Sequence, residues 1–138
     1  GFSKVSTVPG RDMPEMVVIL QQRKENADGS ITAKRVGTQI YKFTQSTNGW
    51  VEGKTFDIMY GDITKQPGYT KRMDLMRGDA TIYARNSKGE NVPVDENGWA
   101  DASATPTHAI VKFDSSHGGA YIGSIGTTLW LDNIKWVY

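Results

Sequence analysis

Apolar and polar side chains alternate along much of this chain, and most regularly between Thr127 and Tyr138. Leu129 and Leu131 alternate with Trp130 and Asp132; Ile134, Trp136 and Tyr138 then alternate with Asn133, Lys135 and Val137. A repeat of two residues marks a strand with one buried face. The apolar positions change from odd to even numbers across Asp132-Asn133, which requires a bulge or bend there. The pattern therefore predicts a closing strand whose Leu, Ile and Trp side chains lie between two stacked β-layers.

The same alternation predicts strands upstream. Phe2 to Val8 reads as a short strand ending at Pro9-Gly10. Pro14 to Gln21 is so apolar at Met16 to Leu20 that a central strand covered on both faces is expected. Asn26 to Ser30 carries turn chemistry, because Asp28-Gly29 tolerates positive φ. Ile31 to Val36 and Thr38 to Thr44 follow, interrupted by Gly37, and Trp50 to Tyr60 sets Trp50, Phe56, Ile58 and Tyr60 in register. Ala80 to Arg85 and Glu90 to Val94 flank Ser87-Lys88-Gly89 as a hairpin. Thr107 to Ser115 places Ala109, Val111 and Phe113 on one face, and Tyr121 to Gly123 is a short strand before the closing pair. Strands at roughly 8–12-residue spacing predict an all-β fold, a two-sheet antiparallel sandwich of jelly-roll type.

Gly61 to Ala104 is the exception, with Pro67-Gly68, Asn97-Gly98 and many charges. It reads as a long loop or inserted hairpin, and such excursions often carry binding function. Met73 to Met76 suggests a helical turn.

Composition narrows the class. The 138 residues suit one domain, 38% hydrophobic and 22% charged, with 15 glycines. A net charge of +1 and the lack of a basic block argue against a nucleic-acid partner. The pairs Arg23-Lys24 and Lys34-Arg35 read as solvated strand ends. Cysteine is absent, which excludes disulfides, thiolate metal sites and a cysteine nucleophile. No apolar run approaches the ~18 residues of a membrane-spanning segment. The sequence opens at once on strand-like residues, as expected of the C-terminal part of a longer protein.

Several segments in order resemble the carbohydrate metabolism domain family known as PCMD. They are Met16 to Leu20, Trp50 to Tyr60 (WVEGKTFDIMY), Pro106 to Ser116 (PTHAIVKFDSS), Gly118-Gly119 and Gly123 to Tyr138 (GSIGTTLWLDNIKWVY). The resemblance departs at Gly61 to Ala104. It implies a jelly-roll β-sandwich in an exported, cell-surface or periplasmic bacterial protein that handles polysaccharide.

Candidate chemistry follows from side-chain types. Sugar rings present C–H faces that stack on indole and phenol rings, while a polar rim bonds the hydroxyls. Trp50, Trp136 and Tyr138 share a parity with core positions and are assigned to the core. Trp99 follows Asn97-Gly98 in a polar stretch and is the first candidate for an exposed platform. Trp130 lies opposite Leu129 and Leu131, on the second face of its strand. Tyr69 and Tyr121 follow glycine turns at loop margins. These four are the candidate glycan contacts. Related sugar-binding jelly rolls hold a structural Ca²⁺ near the closing strand, which nominates Asp132 as a metal ligand; turn chemistry explains an Asp-Asn step equally well.

Catalytic signals are weaker. A glycosidase needs two carboxylates across the scissile bond, and Glu52 with Asp57 or Asp95 with Glu96 are the available pairs. Ser115 with His117 lacks an orienting acid, and His108 and Arg77-Gly78-Asp79 read as ordinary polar positions. The sequence thus points to a non-catalytic carbohydrate-binding module. A structural or adhesin-like spacer is the alternative, and a glycoside hydrolase a third reading.

Overall fold

The computed structural model describes residues 13–47, 49–115 and 128–136. Among these the fold is all-β: β1 (Glu15–Glu25), β2 (Ile31–Lys42), β3 (Met59–Tyr60), β4 (Tyr83–Arg85), β5 (Asn91–Trp99) and β6 (His108–Asp114). Short 3₁₀ turns at Lys71–Met73 and Gly78–Ala80 are the helical pieces among the described residues. The chain groups into two compact units. One holds Val17–Ile40 and Thr55–Val111; the other holds the described residues of 1–16, 41–54 and 112–138.

The strands form one six-stranded sheet in the order β4-β5-β2-β1-β6, with β3 pairing β2. β1 and β2 make the predicted hairpin, closed by Asn26 N–H to the Ser30 carbonyl at 2.8 Å, with Gly29 at φ 88°. Positive φ costs glycine nothing, so Asp28-Gly29 sets this turn. β1 is buried at Glu15, Met16 and Val18 to Gln21, as expected of a strand covered on both sides. β2 runs unbroken through Gly37.

β5 pairs β2 in parallel, Ile31 opposite Val94, so the sheet is mixed rather than antiparallel. Parallel neighbours cannot be joined by a tight turn and require a long crossover. Residues 43–90 supply it, and they include the first part of the Gly61 to Ala104 excursion. β4 pairs β5 antiparallel, Arg85 opposite Asn91, as the predicted hairpin about Ser87-Lys88-Gly89. Ile31, Ala33 and Val94 form a buried cluster with Ile82, Ala84 and Val92 packed on it. Gly61 to Ala104 therefore contributes β4 and β5 to the body of the sheet.

Asn97-Gly98 lies inside β5 and not in a loop. Ala33 pairs Glu96 and Arg35 pairs Trp99, so Asn97 and Gly98 together oppose Lys34 alone. Two residues against one is a β-bulge, and a glycine inside a strand often marks one. The bulge changes the inward parity of β5 from even positions at Val94 and Glu96 to Trp99, which comes to lie beside Arg35.

The closing strand is corrected by the structure. Residues 128–136 are described without a strand or a ladder partner. Asn133 has φ 50°, and its N–H donates to Asp132 Oδ1 at 2.8 Å. The parity switch is thus a left-handed break. Alternation describes a chain that could pair; the pairing itself needs a neighbouring edge. Trp50 and Trp136, assigned to the core, are exposed, as are Leu131 and Ile134. β6 falls within the strand expected at Thr107 to Ser115; Ala109 and Val111 are exposed and Ile110 and Phe113 half-buried, consistent with a strand at the sheet edge. The strands expected at Phe2 to Val8 and Tyr121 to Gly123, and Tyr138, lie outside the described residues.

At one end of the sheet the hairpin tips are joined. Asn86 Nδ2 donates to the Gly29 carbonyl at 3.0 Å, and Glu25 accepts both the N–H of Ser87 at 2.6 Å and its hydroxyl at 2.5 Å. These bonds favour the charged carboxylate, the hydroxyl most, and hold Glu25 below its ordinary range. A depressed carboxylate stabilises the fold above its unfolded pKa, and that contribution is lost as pH falls through the folded value. Ser87→Ala is expected to move the Glu25 titration upward, towards the ordinary range, when followed by carboxyl NMR; an unchanged midpoint contradicts the contact. A Cβ on Gly37 would lie 2.7 Å from Ile58 Cγ2 and 3.1 Å from Leu20 Cδ1. Gly37→Ala is therefore expected to destabilise the protein by about 1–3 kcal/mol in urea unfolding, and equal stability would show that Leu20 and Ile58 have room to move.

Candidate functional site

The most concentrated chemistry among the described residues is a buried polar network on the inner face of β2 and β5. Arg35 is 1% exposed and Glu96 1%. They form a bidentate pair, Arg35 Nε to Glu96 Oε2 at 2.9 Å and Nη2 to Oε1 at 2.5 Å. Arg35 Nη1 also donates to Thr38 Oγ1 and to the Met73 carbonyl, both at 3.1 Å, and Nη2 donates to the Asp74 carbonyl at 3.2 Å. Gln21 Nε2 donates to Glu96 Oε2 at 2.6 Å, and the Met76 N–H donates to Oε1 at 2.8 Å.

The network is saturated. These contacts occupy each N–H of the guanidinium and give each carboxylate oxygen two donors. The Arg35 guanidinium carbon lies 5.6 Å from the centre of the Trp99 ring, in cation–π range. Arg23 extends the network outward, donating to Gln21 Oε1 at 2.9 Å. Its partial burial lowers its pKa, and the Glu96 charge acts in the opposite sense. A carboxylate so fully occupied offers no lone pair to a substrate, so Glu96 acts as an anchor for β1, β2, β5 and residues 73–76.

Beside this network lies a small open cleft of about 330 Å³, lined by Met76, Arg77, Gly78, Thr81, Pro93, Val94 and Asp95. Asp95 and Glu96, considered above as a carboxylate pair, sit on opposite faces of β5, the first exposed and the second buried. Glu52 and Asp57 are each exposed. His108 lies at the start of β6, with Thr107 Oγ1 2.8 Å from its Nδ1; partial desolvation, and then Arg23, lower its pKa.

The aromatic candidates separate. Trp99 ends β5, half-buried beneath Arg35, and is not the exposed loop residue expected from Asn97-Gly98. Tyr69 is half-buried, and its hydroxyl donates to Asp74 Oδ2 at 3.0 Å; desolvation and then this carboxylate push its pKa up. Tyr121, like His117, lies outside the described residues. Trp130 is the candidate most open to solvent, at 75% exposure, with Trp50 at 65% and Trp136 at 49%. All three indoles belong to the unit of residues 41–54 and 112–138. In that unit Tyr41 meets Phe43 edge-on at 5.1 Å, and Lys54 Nζ sits 5.0 Å from the Tyr41 ring centre.

Asp132, nominated for calcium, is exposed and uses Oδ1 in its own turn. Among the described residues no group of three or more His, Cys, Asp or Glu gathers around it or elsewhere. Ca²⁺ takes roughly six to eight oxygens, and one partly engaged carboxylate is a poor fit to that demand.

The sequence patterns above name Arg35 and Glu96 only within the pairs Lys34-Arg35 and Asp95-Glu96, and do not join them to each other. Lys34-Arg35 reads as solvated when taken as a pair, although Arg35 shares its parity with Ile31 and Ala33. Glu96 likewise shares a face with Val94. A charge of each sign at apolar positions of two strands is the available signal. Glu96→Gln leaves a buried guanidinium without its counter-charge and is expected to cost about 3–5 kcal/mol in urea unfolding. Arg35→Met combined with Glu96→Leu should recover most of that loss, since apolar replacement removes both desolvation penalties. A Glu96→Gln cost below about 1 kcal/mol, the scale of an exposed pair, would contradict the burial. Compared with known proteins, the chain matches no protein-family model, no curated protein and no solved structure.

Proposed function

We propose that the chain is a non-catalytic glycan-binding module of an exported bacterial polysaccharide-processing protein, built on a jelly-roll sandwich of which the mixed sheet is part. The observation that carries this reading is the exposure of Trp50, Trp130 and Trp136 within one compact unit. An indole presents a flat apolar face with one polar N–H, and the C–H faces of a pyranose ring stack on it. Asp132 and Asn133 follow Trp130 closely in the chain and can bond sugar hydroxyls from the same segment. Binding of this kind needs no covalent step, and the buried Glu96 is fully engaged by protein donors. Affinity for a soluble sugar is expected to be weak, because aromatic contacts must offset the desolvation of many hydroxyls.

A spacer that packs against a neighbouring domain is the second reading. Leu131 and Ile134 favour it, being exposed aliphatic side chains that add little to sugar stacking and much to a protein contact. Affinity electrophoresis through gels containing soluble polysaccharides separates the two. Wild type should be retarded by at least one glycan, and Trp130→Ala should weaken that interaction about tenfold, ~1.4 kcal/mol. Retardation equal in both proteins, or none across a broad glycan panel, would remove the indole platform and leave the spacer.

A further inference from the structure

The β5 bulge places a reactive sequence in a permissive setting. Asn97 and Gly98 are the two residues without partners in β2, and Lys34 is the single residue opposite them. The Asn97 side chain is exposed and has no hydrogen-bond partner among the described residues. Gly98 carries no Cβ to shield its amide nitrogen. The exposed Lys34 side chain passes close to Gly98: a Cβ at Gly98 would lie 2.9 Å from Lys34 Nζ. On either side the strand is fixed, by Glu96 in its pair with Arg35 and by Trp99 beneath the same guanidinium.

We propose that Asn97-Gly98 is a self-modification site, at which the chain converts its own asparagine to aspartate and isoaspartate with Lys34 as the stabilising charge. The backbone nitrogen of Gly98 loses its proton to solvent and attacks Cγ of Asn97, forming an N–Cγ bond. The Cγ–Nδ2 bond breaks, the leaving nitrogen takes up a proton, and ammonia departs from a five-membered succinimide. Water then opens the ring. Cleavage of the Cγ–N bond leaves an ordinary aspartate in place of Asn97; cleavage at the main-chain carbonyl gives isoaspartate. No oxidant or reductant enters. Negative charge develops on the Gly98 nitrogen and then on the former amide oxygen, and an ammonium close to Gly98 stabilises both. The isoaspartate product inserts a methylene into the main chain of β5 directly after Glu96. It is therefore expected to strain the pair with Arg35 and lower the melting temperature relative to the unmodified chain.

The test incubates the whole chain in native, mildly alkaline buffer and follows the Asn97 peptide by mass spectrometry, with fragmentation to distinguish it from the other Asn-Gly step at Asn48. Native protein should acquire the mass gain of an amide-to-acid conversion at Asn97. Lys34→Met should slow it by roughly threefold to tenfold, an exposed charge being worth less than a desolvated donor. Lys34→Arg should retain most of the rate, and in denaturant all three proteins should react alike. Equal native rates for wild type and Lys34→Met would overturn the proposal, as would modification seen in denaturant alone. A stable loss of ammonia that joins the Lys34 and Asn97 peptides would also overturn it, making the lysine the nucleophile instead of the Gly98 nitrogen.

Discussion

Two opposite charges removed from water, Arg35 and Glu96, are the constraint around which this fold is arranged. Taking each out of solvent costs several kcal/mol, which mutual attraction offsets only when the remaining donors and acceptors are satisfied. Here Gln21 from β1, Thr38 from β2, the backbone at Met73 and Asp74 and the Met76 N–H complete the set. The pair thereby couples two strands that are distant in sequence to a connecting segment without regular structure at Asp74 to Arg77. A purely apolar contact at this place would tolerate sliding. A bidentate guanidinium–carboxylate contact has one geometry, and so it fixes the parallel register of β2 and β5.

The bulge at Asn97-Gly98 follows from that requirement. Glu96 must face inward to meet Arg35, and Trp99 must also face inward to cover the same guanidinium. Three positions apart, they cannot share a face of a regular strand. One extra residue between them resolves the conflict, and glycine at that step allows the close approach of Lys34. The local feature that makes the Asn-Gly step reactive is in this sense a by-product of how the core is closed.

Much of the fold is legible in the residues. β1, β2, the Asp28-Gly29 turn and the β4–β5 hairpin all follow from alternation and turn chemistry, because those signals are local. What is not legible is partnership. Nothing local in Asn91 to Trp99 announces that it will lie parallel to β2 across a long crossover, and Asn97-Gly98 signals a turn and a bulge equally well. The tail shows the converse: Leu129 to Trp136 alternates as a strand does, yet Asn133 turns left-handed and the indoles face solvent. In the candidate site, strand parity exposes Trp130 for the wrong reason, since no strand forms there. The Asn-Gly signal places Trp99 outside, whereas the bulge brings it in. The glycan reading draws on the exposed indoles; the anchoring network belongs to the scaffold.

The amide of Met76 reports most directly on the central pair, because it donates to Glu96 Oε1 from a segment without regular structure. Site-resolved hydrogen exchange measures that protection in the unmodified protein. If the buried pair holds residues 73–76 to the sheet, the Met76 N–H should exchange as slowly as interior amides of β2. Exchange at the rate of the exposed loop amides around Gly68 would show that Glu96 does not hold this segment, and the account of the fold would fail with it.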